Sequence, residues 1–223
     1  MKFRDWKYLP LWMQIPEVKE YYDILKYKKI QLRLKRLFDI ILSAFAILLL
    51  IPVFFIISCA IVIDSRGGIF FRQERVTTYG RVFRIHKFRT MYKGAETEGS
   101  ILAKDKDSRV TKVGAFLRAH RLDELPQLFD VLKGDMSFVG PRPQSVYFVK
   151  HFNREARAVF LMPAGITSET TLKYLHEGEM LKDEEDIDDA YIRKILPEKM
   201  KMQLEEMSRF SIINDIKAIK NTI

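Results

Sequence analysis

Between Asp39 and Asp64 the chain carries no charged side chain, while Lys and Arg crowd both borders. A helix over residues 40–63 is about 36 Å long at about 1.5 Å per residue, enough to cross a hydrocarbon core of about 30 Å. Hydropathy alone favours an ordinary transmembrane helix. The flanks favour something else. Lys26, Lys28, Lys29, Arg33, Lys35 and Arg36 precede the segment, and Arg66, Arg72, Arg75, Arg81, Arg84, Lys87 and Arg89 follow it. Cationic flanks prefer the cytoplasmic face, and a single crossing cannot put both there. Pro52 near the middle donates no backbone hydrogen bond and crowds the carbonyl of Leu48, so a bend is expected, with Ser43 and Ser58 as candidate hydroxyls for the freed group. We therefore expect a Pro-bent, re-entrant helical hairpin at residues 37–64, entering and leaving by the cytoplasmic leaflet.

The rest follows from composition and periodicity. The 223 residues carry a formal charge of +9. That excess suits anionic lipid or phosphorylated substrates, and no nucleic-acid-binding module accompanies it. Cys59 is the sole cysteine, so no intrachain disulfide forms, and it is expected to pack as a small hydrophobe. The four histidines form no zinc pattern. The first apolar run starts too deep in the chain for a cleavable signal peptide. Trp6 and Trp12 sit in an N-terminal arm, residues 1–36, suited either to a headgroup layer or to packing on the globular part.

Residues 65–223 are expected to form a cytoplasmic catalytic domain of α+β class, predominantly helical. A β-hairpin is expected from residues 69–73 and 82–88. Residues 93–107 read as a mobile polar loop. Helices are expected at 110–119, 123–132, 191–207 and 211–220, the last with Ile212, Ile213, Ile216 and Ile219 on one face. The acids at 183–189 read as solvated and lack calcium-loop spacing.

Chemistry concentrates in Leu122-Asp123-Glu124-Leu125-Pro126-Gln127. At a helix start, free N–H groups favour negative charge. Neighbouring helical residues point about 100° apart, so two carboxylates there take different tasks: one can meet phosphorus while the other holds a metal or orients a partner. An ionised Asp needs no base to act as a nucleophile, but an anionic diphosphate repels it. Magnesium and basic side chains relieve that repulsion, and Lys87, Arg89, Arg118 and Arg142 are the candidates. Arg142 stands between two prolines and so loses little entropy on binding.

Five runs together resemble the bacterial monotopic phosphoglycosyl transferases: Lys35-Arg36-Leu37-Phe38-Asp39, Phe71-Arg72-Gln73-Glu74-Arg75, Lys87-Phe88-Arg89-Thr90-Met91, Leu122 to Gln127, and Leu132 to Pro143. The resemblance implies transfer of a sugar-1-phosphate from a UDP-sugar to a membrane polyprenol phosphate, with release of UMP, at the cytoplasmic face of the bacterial inner membrane. It implies that Asp123 forms a phosphosugar intermediate, that Glu124 is its dyad partner, and that Mg2+ binds at Asp123 and Glu124. Lys87, Arg89 and Arg142 would handle phosphates or nucleotide. Anionic lipid and the enzymes that extend the glycan are candidate partners; the oligomeric state is left open. The family's basic residue before Pro-Gly-Ile-Thr-Gly and its Trp-containing loop are missing here, where Met162-Pro163-Ala164-Gly165-Ile166-Thr167-Ser168 stands. Lys173 is a candidate substitute for the charge. The competing reading is a non-catalytic membrane adaptor whose basic face binds anionic lipid.

Overall fold

The computed structural model describes residues 3–95, 107–175, 177–181 and 183–222. Most of the expected polar loop, residues 96–106, lies outside them. The elements are α1 (Pro16–Lys26), α2 (Lys29–Asp64), β1 (Phe70–Val76), β2 (Val82–Phe88), α3 (Lys112–Ala119), α4 (Gln127–Lys133), β3 (Met136–Val139), α5 (Val146–Val149), β4 (Ala164–Thr167), α6 (Glu169–Lys173), α7 (Glu177–Met180), α8 (Ile187–Ala190), α9 (Leu196–Ser208) and α10 (Ile212–Thr222). The chain is thus mostly helical, with two short two-stranded sheets.

β1 and β2 form the expected antiparallel hairpin, with Phe70 opposite Phe88 and Val76 opposite Val82. The second sheet was not expected. β3 and β4 pair in parallel, Met136 opposite Ala164 and Val139 opposite Thr167. Each strand has four residues, too few for alternation to stand out in the sequence.

The N-terminal residues belong to the main core. Phe3, Leu9, Met13, Val18, Tyr22 and Leu25 are buried against Phe160, Leu161, Met200 and Leu204. Trp6 meets the Tyr22 ring edge-on at 5.0 Å, and Trp12 meets Phe160 at 5.8 Å, so both tryptophans pack on the globular part.

α2 corrects the hairpin expectation. It is one helix of 36 residues with Pro52 inside it, not two legs joined by a turn. Arg36 donates to the carbonyls of Val131 and Leu132 at 2.5 and 2.8 Å, while the Phe54 ring lies 5.5 Å from that of Phe129, so α2 runs along α4. Pro52 removes one backbone donor from the helix and crowds the carbonyl four residues back. Neither serine serves Leu48: Ser43 donates to Asp39 and Ile40 carbonyls, and Ser58 to that of Phe54. Between the two anchored ends, Phe45, Leu48, Leu49, Ile51, Phe55 and Ile56 are exposed. So is Cys59, contrary to its expected packing. α2 is the one helix among the described residues long and apolar enough to cross a membrane.

Both ends of α2 are fastened by polar contacts. Near its start, Asp39 Oδ1 accepts from Ser137 Oγ at 3.0 Å and the Phe138 amide at 3.1 Å. At its end, Asp64 Oδ2 accepts from the Val113 amide at the start of α3. The helix start thereby meets β3, and its end meets α3.

Candidate active site

The acid pair is not in an α-helix. Leu122–Glu124 form a 3-10 turn, and α4 starts only after Pro126. The expected helix at 123–132 is thus split, because Pro126 lacks the amide that would continue it. Arg121, just before, adopts the left-handed conformation with φ 54°. Such a φ is strained for a side chain with a Cβ, and here it turns the chain from α3 into the acid-bearing turn.

β2, α3 and the turn after β3 bring the cations. Lys87 Nζ lies 2.7 Å from Glu124 Oε1 and 3.8 Å from Asp123 Oδ2. Arg142 reaches the same Glu124 Oε1 at 2.8 Å. Arg118 lies within electrostatic reach of Asp123 and donates to Thr90 Oγ1 at 2.8 Å. Its position depends on Gly114, one turn earlier, where a Cβ would stand 2.1 Å from the Thr90 carbonyl oxygen. Only a glycine lets α3 approach that closely. Behind Lys87, the His86 amide and ring Nδ1 contact Asp130 at 2.9 and 2.6 Å, which fixes β2 against α4.

Arg89 takes a different place. Its guanidinium donates to the carbonyls of Ser65 and Arg66 at 2.7 and 2.6 Å, just beyond the last turn of α2. It closes a helix end and lines the same cavity as the acid pair, with its hydrogen bonds made to backbone carbonyls rather than to either carboxylate. Lys87, Arg118 and Arg142 converge on the carboxylates; Arg89 secures the element beside them.

The two carboxyls are shifted in opposite directions. Burial pushes Asp123 above the ordinary aspartate range, Lys87 opposes this, and Glu124 adds repulsion. Burial would raise Glu124 too, but Arg142 and Lys87 overcome it and hold that carboxyl well below its usual range. Glu124 is therefore a fixed anion, and Asp123 is the one with reactive character.

The pair opens into a cavity of about 730 Å3. Its wall includes Arg75, Arg109, Gln144, Tyr191 and Lys199, none of them given a catalytic or binding role from the sequence. Arg75 lay in a quoted run without an assigned task. Lys199 is buried between the Tyr174 and Tyr191 rings, at 5.6 and 5.5 Å. Nothing in its local sequence separates it from surface lysines of the same helix. Lys173 is exposed and does not line the cavity.

The residues fit a magnesium ion of the sparsely ligated kind. Mg2+ usually takes one or two carboxylates plus substrate phosphates and waters. Both cations that hold Glu124 contact Oε1, and Asp123 is its neighbour in the same 3-10 turn. No cluster of three or more His, Cys, Asp or Glu side chains suited to a metal occurs among the described residues, so phosphate oxygens would have to complete the shell.

A family model described as bacterial sugar transferase matches residues 30–223. A putative undecaprenyl-phosphate N-acetylgalactosaminyl 1-phosphate transferase of Bacillus subtilis is 40% identical over 148 residues, 66% of this chain and 82% of that protein. A UDP-glucose:undecaprenyl-phosphate glucose-1-phosphate transferase of Caulobacter vibrioides is 31% identical over 192 residues, 85% of this chain and 68% of that protein. A UDP-N-acetylgalactosamine-undecaprenyl-phosphate N-acetylgalactosaminephosphotransferase of Aeromonas hydrophila is 47% identical over 122 residues, 55% of this chain but only 29% of the relative's length.

Proposed function

Because this chain belongs to the bacterial sugar transferase family, we propose that it moves a sugar-1-phosphate from a UDP-sugar to a polyprenol phosphate and releases UMP. The observation that carries this reading is Asp123, raised in pKa and beside a fixed anion, in a cation-lined cavity next to the end of α2.

In the first step an Asp123 carboxylate oxygen bonds to the β-phosphorus while the bond from that phosphorus to the bridging oxygen breaks. The electron pair leaves with UMP. In the second step a phosphate oxygen of the polyprenol carrier attacks the same phosphorus, and the Asp123 carboxylate is released. Both steps need positive charge on the non-bridging oxygens, which Lys87, Arg118 and Arg142 are placed to supply. Glu124 orients Lys87 and Arg142 through Oε1. Mg2+, held by Asp123 and Glu124, would add Lewis-acid neutralisation of the diphosphate.

The acceptor is a lipid, and the anchor matches it. The exposed apolar belt of α2 is long enough and apolar enough for a hydrocarbon layer to cover it. Pro52 in mid-helix, and the fastening of α2 to the globular part near both ends, support a re-entrant mode at the inner leaflet. The relatives' names include both N-acetylgalactosamine and glucose donors, so several UDP-sugars belong in the assay. Incubation with a UDP-sugar panel, polyprenol phosphate and Mg2+ should release UMP, and quenching without acceptor should leave a phosphosugar on the peptide containing Asp123. An adduct on another side chain, or turnover with none, would overturn the mechanism. An adaptor would tolerate replacement of both acids.

A further inference from the structure

A second cavity, of about 650 Å3, lies at the other end of α4. It shares no lining residue with the cavity of the acid pair. Five cations line it: Arg4, Lys35, Arg36, Arg81 and Lys133. Their charge is only partly met. Lys35 pairs with Asp215 at 2.6 Å. Arg81 and Lys133 share one carboxylate, Asp135, at 2.6 and 3.0 Å. Arg36 gives its N–H groups to neutral carbonyls, and Arg4 lies 4.7 Å from the centre of the neutral Tyr79 ring. Arg81 and Lys133 are half or more exposed, free to turn toward a ligand.

Position supplies the second observation. Lys35, Arg36 and Asp39 stand on α2 among exposed apolar side chains, Leu34, Leu37 and Phe38, that continue through Ile40 and Ile41 into the apolar belt. A ligand anchored here has a cationic seat and an adjoining hydrocarbon track. A free anion would use the seat alone. Basic pockets beside membrane helices recognise phospholipid headgroups by this combination.

We propose that this cavity seats the headgroup of an anionic phospholipid of the phosphatidylglycerol class, with its acyl chains against α2 from Ile40 onward. The inference rests on α2 being membrane-embedded, and it is independent of the phosphosugar chemistry. The lipid would fix the depth at which α2 meets the bilayer and so hold the other cavity level with the acceptor's phosphate.

The test uses the full chain in detergent micelles, titrated with headgroup-labelled phosphatidylglycerol. Saturable binding is expected, resistant to competition by phosphatidylcholine. Arg4→Gln with Lys133→Gln leaves Arg81 on Asp135, so the fold is spared. Each neutralised cation should weaken binding about fivefold, from about 1 kcal/mol per basic residue. Lys26→Gln with Lys201→Gln, both exposed and outside the cavity, should leave it unchanged. Equal loss in that control pair, or equal competition by phosphatidylcholine, would overturn the proposal. Competition by inorganic phosphate as effective as the lipid would assign a free-anion site instead. Preferential displacement by polyprenol phosphate would make the cavity the acceptor's own. UMP release measured on the same preparations separates the two questions: its absence would remove the proposed function while leaving the lipid measurement intact.

Discussion

Asp123 carries opposite demands from stability and from chemistry. Its carboxyl is raised by burial, so the folded protein binds that proton more tightly than the unfolded chain does. Stability from this group is therefore fully present below the ordinary aspartate value and lost as pH rises through the raised one. Asp123→Asn should abolish UMP release yet melt no lower than the parent at neutral pH, as thermal unfolding would show. The rate should fall as pH drops through a value above the ordinary aspartate range, because attack needs the carboxylate. Glu124 behaves in the reverse sense. Its lowered pKa contributes stability above the ordinary glutamate value, lost as pH falls through the lowered one. Glu124→Gln leaves Lys87 and Arg142 without their shared anion; a loss of about 2 kcal/mol in denaturant unfolding is expected, discounted because both cations are partly exposed. The residue types of this pair could be read directly from the chain. The opposite directions of their pKa shifts could not, since these depend on burial and on cations that arrive from β2 and from the turn after β3.

At the level of elements, two contacts set the frame of the site. Gly114 lets α3 lie on the Thr90 backbone and so aims Arg118. Gly114→Ala should displace α3 and lower turnover tenfold or more, with the acids intact; a 1 Å misplacement costs on the order of 100-fold in well-positioned sites. An unchanged rate would show that Arg118 is not needed where it stands. The buried Lys35–Asp215 pair ties α10 to α2. Lys35→Ala should cost about 3 kcal/mol by stranding Asp215, and Lys35→Met with Asp215→Leu should recover most of it. The end of α2 at Asp64 was legible where the apolar run stopped, and Gly134 marked the end of α4 with φ 94°, but the start of α2 at Lys29, eight residues before the expected 37, was not. The parallel pairing of β3 with β4 was not, because it joins residues far apart in the chain through only four positions each. Arg89 shows the same limit. Its sequence neighbours suggested phosphate, and only the fold brought the end of α2 within its reach.

The whole molecule poses a question of sidedness. With Cys59→Ser as background, Ile30→Cys and Phe70→Cys should both react with an impermeant thiol reagent from the same face of a sealed vesicle. Labels on opposite faces would establish a true crossing. Chelation of divalent cations should stop UMP release without lowering the unfolding temperature, since the acid pair is already held by Lys87 and Arg142. The sequence by itself determined that the chain bears one long apolar helix, a hairpin after it, and a carboxylate pair followed by an Arg between prolines. Those are local matters: hydropathy, strand alternation and turn chemistry act over a few residues. Tertiary structure decided that α2 stays one helix through Pro52 and runs along α4, and that Trp6 and Trp12 pack against the rings of Tyr22 and Phe160 at the edge of the core. It also decided which cations meet the acids and which, like Arg89, close a helix end. These outcomes depend on contacts between residues distant in the chain, where burial and charge from several elements act on one atom at once, and no short window of sequence contains them.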